Sequence, residues 1–199
     1  ACRLSADYEI PYQAHASFET LNIIMQMGGA GIEICGAVQI PVIDLYALSQ
    51  ATGLPPEKIK FNTLMAGGSF GRRSSATATP SLEVLSIIQA LQTDRPVKLI
   101  YSREDDMGST ATRYRPGYVH RIEAGIDTTG ALVAWKHRIV GQSVLIGTAF
   151  EEALVVNGID EMVVESASDQ PYAIPNVYLD IHMPELPIQT SWQRSTGSF

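Results

Sequence analysis

Apolar positions recur along this chain with two different periods, and the two periods divide it into helices and strands. Val84, Ile87, Ile88 and Leu91 have the spacing of one helical face, with Glu83, Ser86 and Gln89 opposite. Pro80 suits the first helical position, Thr79 its cap, and Arg95-Pro96 the stop. A second helix is expected over residues 43–52, where Leu45, Tyr46, Leu48 and Ala51 cover most of the circumference and predict a largely buried rod. Gly53 and Pro55-Pro56 end it. Strand patterns cover residues 5–12, 21–27 and 32–38, the last two joined across Gly28-Gly29-Ala30-Gly31, then 59–65 and a short, buried 97–101. Residues 118–126 and 131–140 alternate around Asp127-Thr128-Thr129-Gly130, a hairpin signal. If that turn is the whole loop, Ile126 pairs with Ala131, Ile122 lies opposite Trp135, and His120 opposite His137. Residues 141–168 are patterned more weakly, with an acidic pair Glu151-Glu152 and a helical stretch near 149–156. A strand restarts at Tyr172-Ala173-Ile174-Pro175-Asn176 and runs to Met183. The fold class is α+β, with mixed sheets and packed helices.

Composition narrows the partners. At 199 residues, 45% hydrophobic and with mean hydropathy +0.05, the chain suits one large or two small core-forming domains. A formal charge of −7 and a pI near 5.0 argue against a nucleic-acid surface. No apolar run approaches the roughly 18 residues of a transmembrane segment, and no charged-then-apolar leader opens the chain. A start at Ala1 reads as an excised piece. Cys2 and Cys35 are too few for an iron–sulfur cluster, which takes about four thiolates. His15 has no second ligand at metal spacing and reads as a surface or capped histidine; His120 and His137 lack a third and read as core or edge residues. No metal ligand is assigned.

Chemistry concentrates in Gly67-Gly68-Ser69-Phe70-Gly71-Arg72-Arg73, directly after a strand. Glycines let the backbone take positive φ and aim N–H groups at one anionic or oxo group, and arginines add positive charge and planar donor forks. The strand–loop–helix–strand context lacks both G-x-G-x-x-G and the Walker Gly-Lys-Ser/Thr, which excludes a dinucleotide fold or P-loop.

The run FNTLMAGGSFGRR, preceded by LYALSQATGLPPEKI and followed by SLEVLSIIQALQTDRPVKLIYSREDDM, resembles the molybdopterin-binding large subunit of the xanthine dehydrogenase and aldehyde oxidase family. The resemblance is to the branch of isoquinoline 1-oxidoreductase beta subunits and related bacterial aldehyde dehydrogenases. Further matches, in the family's order, are Tyr8-Glu9-Ile10-Pro11-Tyr12 with Ala14-His15-Ala16, Arg103-Glu104-Asp105-Asp106-Met107, residues 172–176, and Trp192-Gln193-Arg194-Ser195. The resemblance implies that residues 1–199 are a fragment of a molybdopterin-binding domain in a larger subunit. It implies a molybdenum–molybdopterin cytosine dinucleotide cofactor, 2Fe–2S clusters on a small iron–sulfur partner subunit, and oxidation of an aldehyde or N-heterocycle with water-derived oxygen.

On the same basis Gln39, at the end of the second strand of the glycine hairpin, would donate to an oxo group on molybdenum. Gly67, Gly68, Ser69, Phe70, Gly71 and Arg72 would form the cofactor cradle, and Arg194 would lie near the substrate pocket. The family's base glutamate has no counterpart here, so no catalytic residue is assigned within the chain and the isolated chain is expected to be inactive. Phe18, Thr20, Val38 and Ser69 depart from the family pattern. They keep open a non-catalytic scaffold domain binding the iron–sulfur partner, or a generic anion-binding module. The compartment, cytoplasmic or periplasmic, stays open.

Overall fold

The computed structural model describes residues 2–74, 80–108, 112–148 and 150–193. In chain order the strands are β1 (Cys2–Ile10), β2 (Gln13–Ala14), β3 (Asn22–Gly28), β4 (Gly31–Gly36), β5 (Ile59–Thr63), β6 (Val97–Ile100), β7 (Tyr114–Arg115), β8 (Tyr118–Ile126), β9 (Leu132–Gly141), β10 (Val155–Val156), β11 (Ile159–Asp160) and β12 (Asn176–His182). The helices are α1 (Pro41–Thr52), α2 (Pro80–Leu91), α3 (Arg103–Gly108), α4 (Glu151–Leu154) and α5 (Glu161–Val164). The described residues fall into two compact units, a first of residues 2–13 and 114–190 and a second of residues 14–113 and 191–193.

The second unit holds a mixed sheet in the order β5-β4-β3-β6. β3 pairs antiparallel with β4 and with β6, while β5 runs parallel to β4. Gly31 takes a φ of +130°, and a Cβ there would strike the Lys58 carbonyl, so the expected glycine hairpin needs glycine at this position. Ile23, Met25, Ile32 and Ile34 of the sheet pack with Leu48 of α1 and with Val84, Leu85 and Ile88 of α2. Each such buried side chain contributes about 1.5–3 kcal/mol, which makes this cluster the main stabilisation of the unit. Residues between them on β4 and β5 face the other way, where Glu33 accepts from Lys60 at 2.7 Å and from Asn62 at 2.9 Å.

The helices differ from expectation in their buried faces. α2 turns Ser81, Val84, Leu85 and Ile88 inward and leaves Leu91 65% exposed. Ser81 can occupy a core position because its hydroxyl donates to the buried Asp44 carboxylate at 2.6 Å. Thr79 lies outside the described residues. α1 begins earlier, at Pro41, and is not a buried rod: only Asp44 and Leu48 are buried, because one side alone rests on α2 and β5. Gly53 ends it as expected, in the left-handed conformation with its N–H on the Ser49 carbonyl. Among the described residues β6 pairs only with β3, so it is an edge strand with Ile100 exposed rather than a buried one.

In the first unit the sheet order is β1-β8-β9-β12, antiparallel except for β12, which runs parallel to β9. Its core is Tyr118, Ile139 and Val163, with Ile10, Leu179, Ile181 and Met183 against them. Gly141 makes room for the Tyr118 ring, which a Cβ there would overlap. The β8–β9 register corrects the simple hairpin. Asp127 accepts from the N–H groups of Thr129 at 2.8 Å and Ala131 at 3.0 Å, which draws Ala131 into the turn. An irregularity beside Gly125 and Ile126 shifts the ladder again, so Ile122 faces His137 and His120 faces Ile139. The histidines still share a face of the sheet, because a shift of two residues preserves which side each points to.

Candidate functional site

The glycine-rich segment leaves the sheet at the end of β5 and is tied down within the second unit from several sides. Gly67 is clamped by Glu19, whose N–H donates to the Gly67 carbonyl at 3.0 Å and whose carboxylate accepts the Gly67 N–H at 2.6 Å. A Cβ on Gly67 would come within 2.7 Å of the Glu19 Cβ. Gly68, Phe70 and Gly71 all have positive φ, at +91°, +54° and +102°. For Phe70, a bulky residue, that conformation is strained and is held by its surroundings. Two tight turns follow, with the Arg72 N–H on the Ser69 carbonyl at 2.9 Å and the Ser74 hydroxyl on the Gly71 carbonyl at 2.7 Å.

Gln39 lies beyond the end of β4 rather than within it, since the strand stops at Gly36. Its Oε1 accepts from the N–H groups of Gly71 at 3.1 Å and Arg73 at 3.2 Å, and its own N–H donates to the Arg73 carbonyl at 3.1 Å. Two backbone donors on one side-chain oxygen fix the amide orientation, because the NH2 group could not face them. The Gln39 NH2 group therefore keeps its donors available. The N–H groups of Gly68, Ser69 and Phe70 likewise have no acceptor among the described residues. This part of the loop thus has three consecutive backbone donors and one side-chain amide donor open, a neutral set suited to an acceptor-rich ligand.

The arginines occupy a different place from the expected one. Arg72 is 3% exposed and its Nε meets Asp106 at 3.0 Å, so its charge is directed to the interior of the unit. Arg73 donates to the carbonyls of Gly68, Ala37, Glu19 and Thr20, which fixes the loop from behind. Burial pushes the Arg73 pKa down and the neighbouring Glu19 charge opposes this. Arg103 extends the network, donating to the Ser17 carbonyl at 2.6 Å and the Phe18 carbonyl at 2.8 Å. Asn22 and the Gly67 N–H hold the Glu19 carboxyl below its ordinary pKa, with Arg73 adding to the effect.

Periodicity and local motif spacing do not link several of these anchors to the loop. Glu19 and Asp106 are far from the loop in sequence, as is Ser191, whose hydroxyl donates to the Gly71 carbonyl at 3.1 Å. His15 is buried rather than on the surface, with Nδ1 3.2 Å from the Arg113 carbonyl and Nε2 2.8 Å from the Trp192 carbonyl. Arg194 lies outside the described residues. Phe18, Leu64, Met65 and Phe70 leave an exposed apolar surface on the segments that carry the site. Among the described residues no group of three or more His, Cys, Asp or Glu side chains is placed to hold a metal ion.

The loop offers three backbone N–H groups from a frame that includes the buried Arg72–Asp106 ion pair. The model of the molybdopterin cofactor-binding domain matches residues 1–185, and the chain belongs to that family. It is 29% identical over 171 residues to a probable xanthine dehydrogenase subunit of Bacillus subtilis (strain 168), covering 85% of this chain and 21% of the relative. It is 24% identical over 196 residues to the isoquinoline 1-oxidoreductase subunit beta of Brevundimonas diminuta, covering 95% of this chain and 23% of the relative. Quinoline 2-oxidoreductase from Pseudomonas putida 86 has a similar fold, with a TM-score of 0.68 at 19% identity over 96% of this chain and 24% of that one. The chain thus spans less than a quarter of the length of these relatives.

Proposed function

We propose that residues 1–199 form part of the molybdopterin-binding subunit of a molybdenum hydroxylase, an oxidoreductase acting on an aldehyde or N-heterocycle. The observation that carries this reading is the set of open donors at Gly68, Ser69, Phe70 and the Gln39 amide. A molybdenum–molybdopterin cofactor, in the cytosine dinucleotide form, would supply two-electron oxidation with oxygen drawn from water, and a small subunit with 2Fe–2S clusters would carry the electrons away. The fit is local and chemical: the cofactor is rich in hydrogen-bond acceptors, and this loop presents uncharged donors.

The chain's own residues bind and orient. Gly67 and Gly71 set the path of the loop, Gly68, Ser69 and Phe70 present the N–H groups, and Gln39 adds its amide. Arg72 acts from behind, through Asp106, and Arg194 would lie near the substrate. No residue of this chain is assigned as the base, and Glu19, the carboxylate at the loop, is poorly suited to it. Glu19 is bound by Asn22, Gly67 and Arg73, and a carboxyl held below its ordinary pKa is a poor proton acceptor at neutral pH.

Gln39→Glu in the native enzyme tests the assignment, because it keeps the acceptor oxygen for Gly71 and Arg73 while replacing the NH2 donor with an oxygen. Turnover should fall by about 10²–10³, the usual cost of one lost preorganised donor. Molybdenum content, measured on the same sample, should be retained. Unchanged turnover would remove Gln39 from the site.

A further inference from the structure

Phe70 stands at a φ of +54° and Gly71 at +102°. The left-handed region is disfavoured by about tenfold for a residue with a bulky side chain, so Phe70 stays there only while the adjoining peptides are fixed. The two peptides flanking Gly71 are pinned at opposite ends. In the first, the Gly71 N–H donates to Gln39 Oε1 at 3.1 Å. In the second, the Gly71 carbonyl accepts from the Ser74 hydroxyl at 2.7 Å and from the Ser191 hydroxyl at 3.1 Å, while the Arg72 N–H donates to the Ser69 carbonyl at 2.9 Å. Ser69 and Ser74 belong to the loop and turn with it. Among these partners Gln39 and Ser191 reach in from outside, and they set where the Gly71 peptides point.

Ser191 needs a placement of its own. Residues 191–193 belong to no strand or helix, and residues 114–190 separate them from the rest of the second unit in sequence. His15 supplies the placement: its Nε2 lies 2.8 Å from the Trp192 carbonyl and its Nδ1 3.2 Å from the Arg113 carbonyl. A carbonyl only accepts, so the ring engages either one as a donor. Arg113 is where the chain leaves the second unit and Ser191 where it returns, so the ring stands between the two ends. His15 is 7% exposed and Ser191 4%, and hydrogen bonds so buried are costly to leave unmade.

We propose that His15 and Ser191 are positioning residues for the glycine loop. His15 staples the returning segment by the Trp192 carbonyl, and the segment presents Ser191 to Gly71. The Gly71 peptides, fixed in this way, hold Phe70 in the left-handed conformation in which the N–H groups of Gly68, Ser69 and Phe70 stay open. The use of those open groups rests on the reading of the loop as a cofactor cradle; the lock on Phe70 does not.

Amide hydrogen exchange of Gly71, Arg72 and Arg73 in the native protein tests the lock. Ser191→Ala removes one hydroxyl and should speed exchange at these three amides about fivefold, with the amides of β3 and β4 unchanged. His15→Phe keeps a ring without its donors and should speed them at least as much. The double variant should exchange no faster than His15→Phe alone, since both residues act through one hydroxyl. Phe70→Gly takes positive φ freely and should reduce the effect of Ser191→Ala to below about twofold. Unchanged exchange in Ser191→Ala, effects that multiply in the double variant, or an equal acceleration in the Phe70→Gly background would overturn the proposal. So would an acceleration that spreads to β3 and β4, which would make these residues general supports of the unit. Exchange reports on the lock and Gln39→Glu turnover on the cofactor cradle, so either can fail without the other.

Discussion

In the second unit buried charge meets specific partners: Arg72 faces Asp106 at 3.0 Å, and Arg73 spreads its donors over four backbone carbonyls. In the first unit His120 and Gln170 each bury a nitrogen with no partner among the described residues. Apolar packing differs in the same sense. One cluster runs through β3, β4, β5, α1 and α2 of the second unit, whereas the first rests on Tyr118, Ile139 and Val163 beside a cavity. A loop that must keep N–H groups open needs a frame in which everything behind it is satisfied. A buried nitrogen without a partner instead leaves its desolvation cost uncompensated.

Asp106→Ala should break this contrast most severely. It removes the carboxylate facing a guanidinium that is 3% exposed, and such a change costs about 3–5 kcal/mol. Denaturant melts of the native protein would show it. A loss below about 1 kcal/mol, as for a surface pair, would mean that charge does not hold Arg72.

Glu19→Ala should cost less, about 1 kcal/mol, because the carboxylate is partly exposed although it accepts from both Asn22 and Gly67. Its lowered pKa gives the sign with pH: the stabilisation is present above the ordinary glutamate value and fades as the pH falls through the lowered one. Acid melts of the wild type and variant should therefore converge. Curves that stay parallel would remove Glu19 as an anchor.

The smallest effect sharpens the other side of the comparison. Burial holds His120 and His137 below the ordinary histidine pKa, so the unfolded chain takes up protons first. Stability is full above about pH 6.5 and declines gradually below it. Melting temperatures measured downward from about pH 8 should fall below that point, and less so in a His120→Phe/His137→Leu variant. Identical profiles would mean the pair is not buried in its neutral form.

Local signals in the sequence located the glycine hairpin, the Gly53 stop and the loop at Gly67–Gly71, because each depends on residues adjacent in the chain. The α2 face was misplaced by one step, since Leu82, Val84, Leu85, Ile87, Ile88 and Leu91 surround the helix and only the Ser81–Asp44 hydrogen bond shows which side is inward. The hairpin register depended on Asp127 drawing Ala131 into its turn, a side-chain effect that alternation does not register. The frame of the site was least legible. Glu19, Asp106 and Ser191 reach the loop across 48, 34 and 120 positions, and no periodicity links them to it. Arg72 and Arg73 looked like ligand-facing charge because their burial depends on those distant partners.

The most direct test of the loop's role is the molybdenum and pterin content of the native protein carrying Gly68→Val. Gly68 has a φ of +91°, and a Cβ there would stand 3.0 Å from the Phe70 ring, so a β-branched residue must displace the backbone that presents the three open N–H groups. The variant should purify folded, by circular dichroism and melting, and without molybdenum or pterin. A folded variant with a full complement of both would show that the loop is a connector and that the cofactor is held elsewhere.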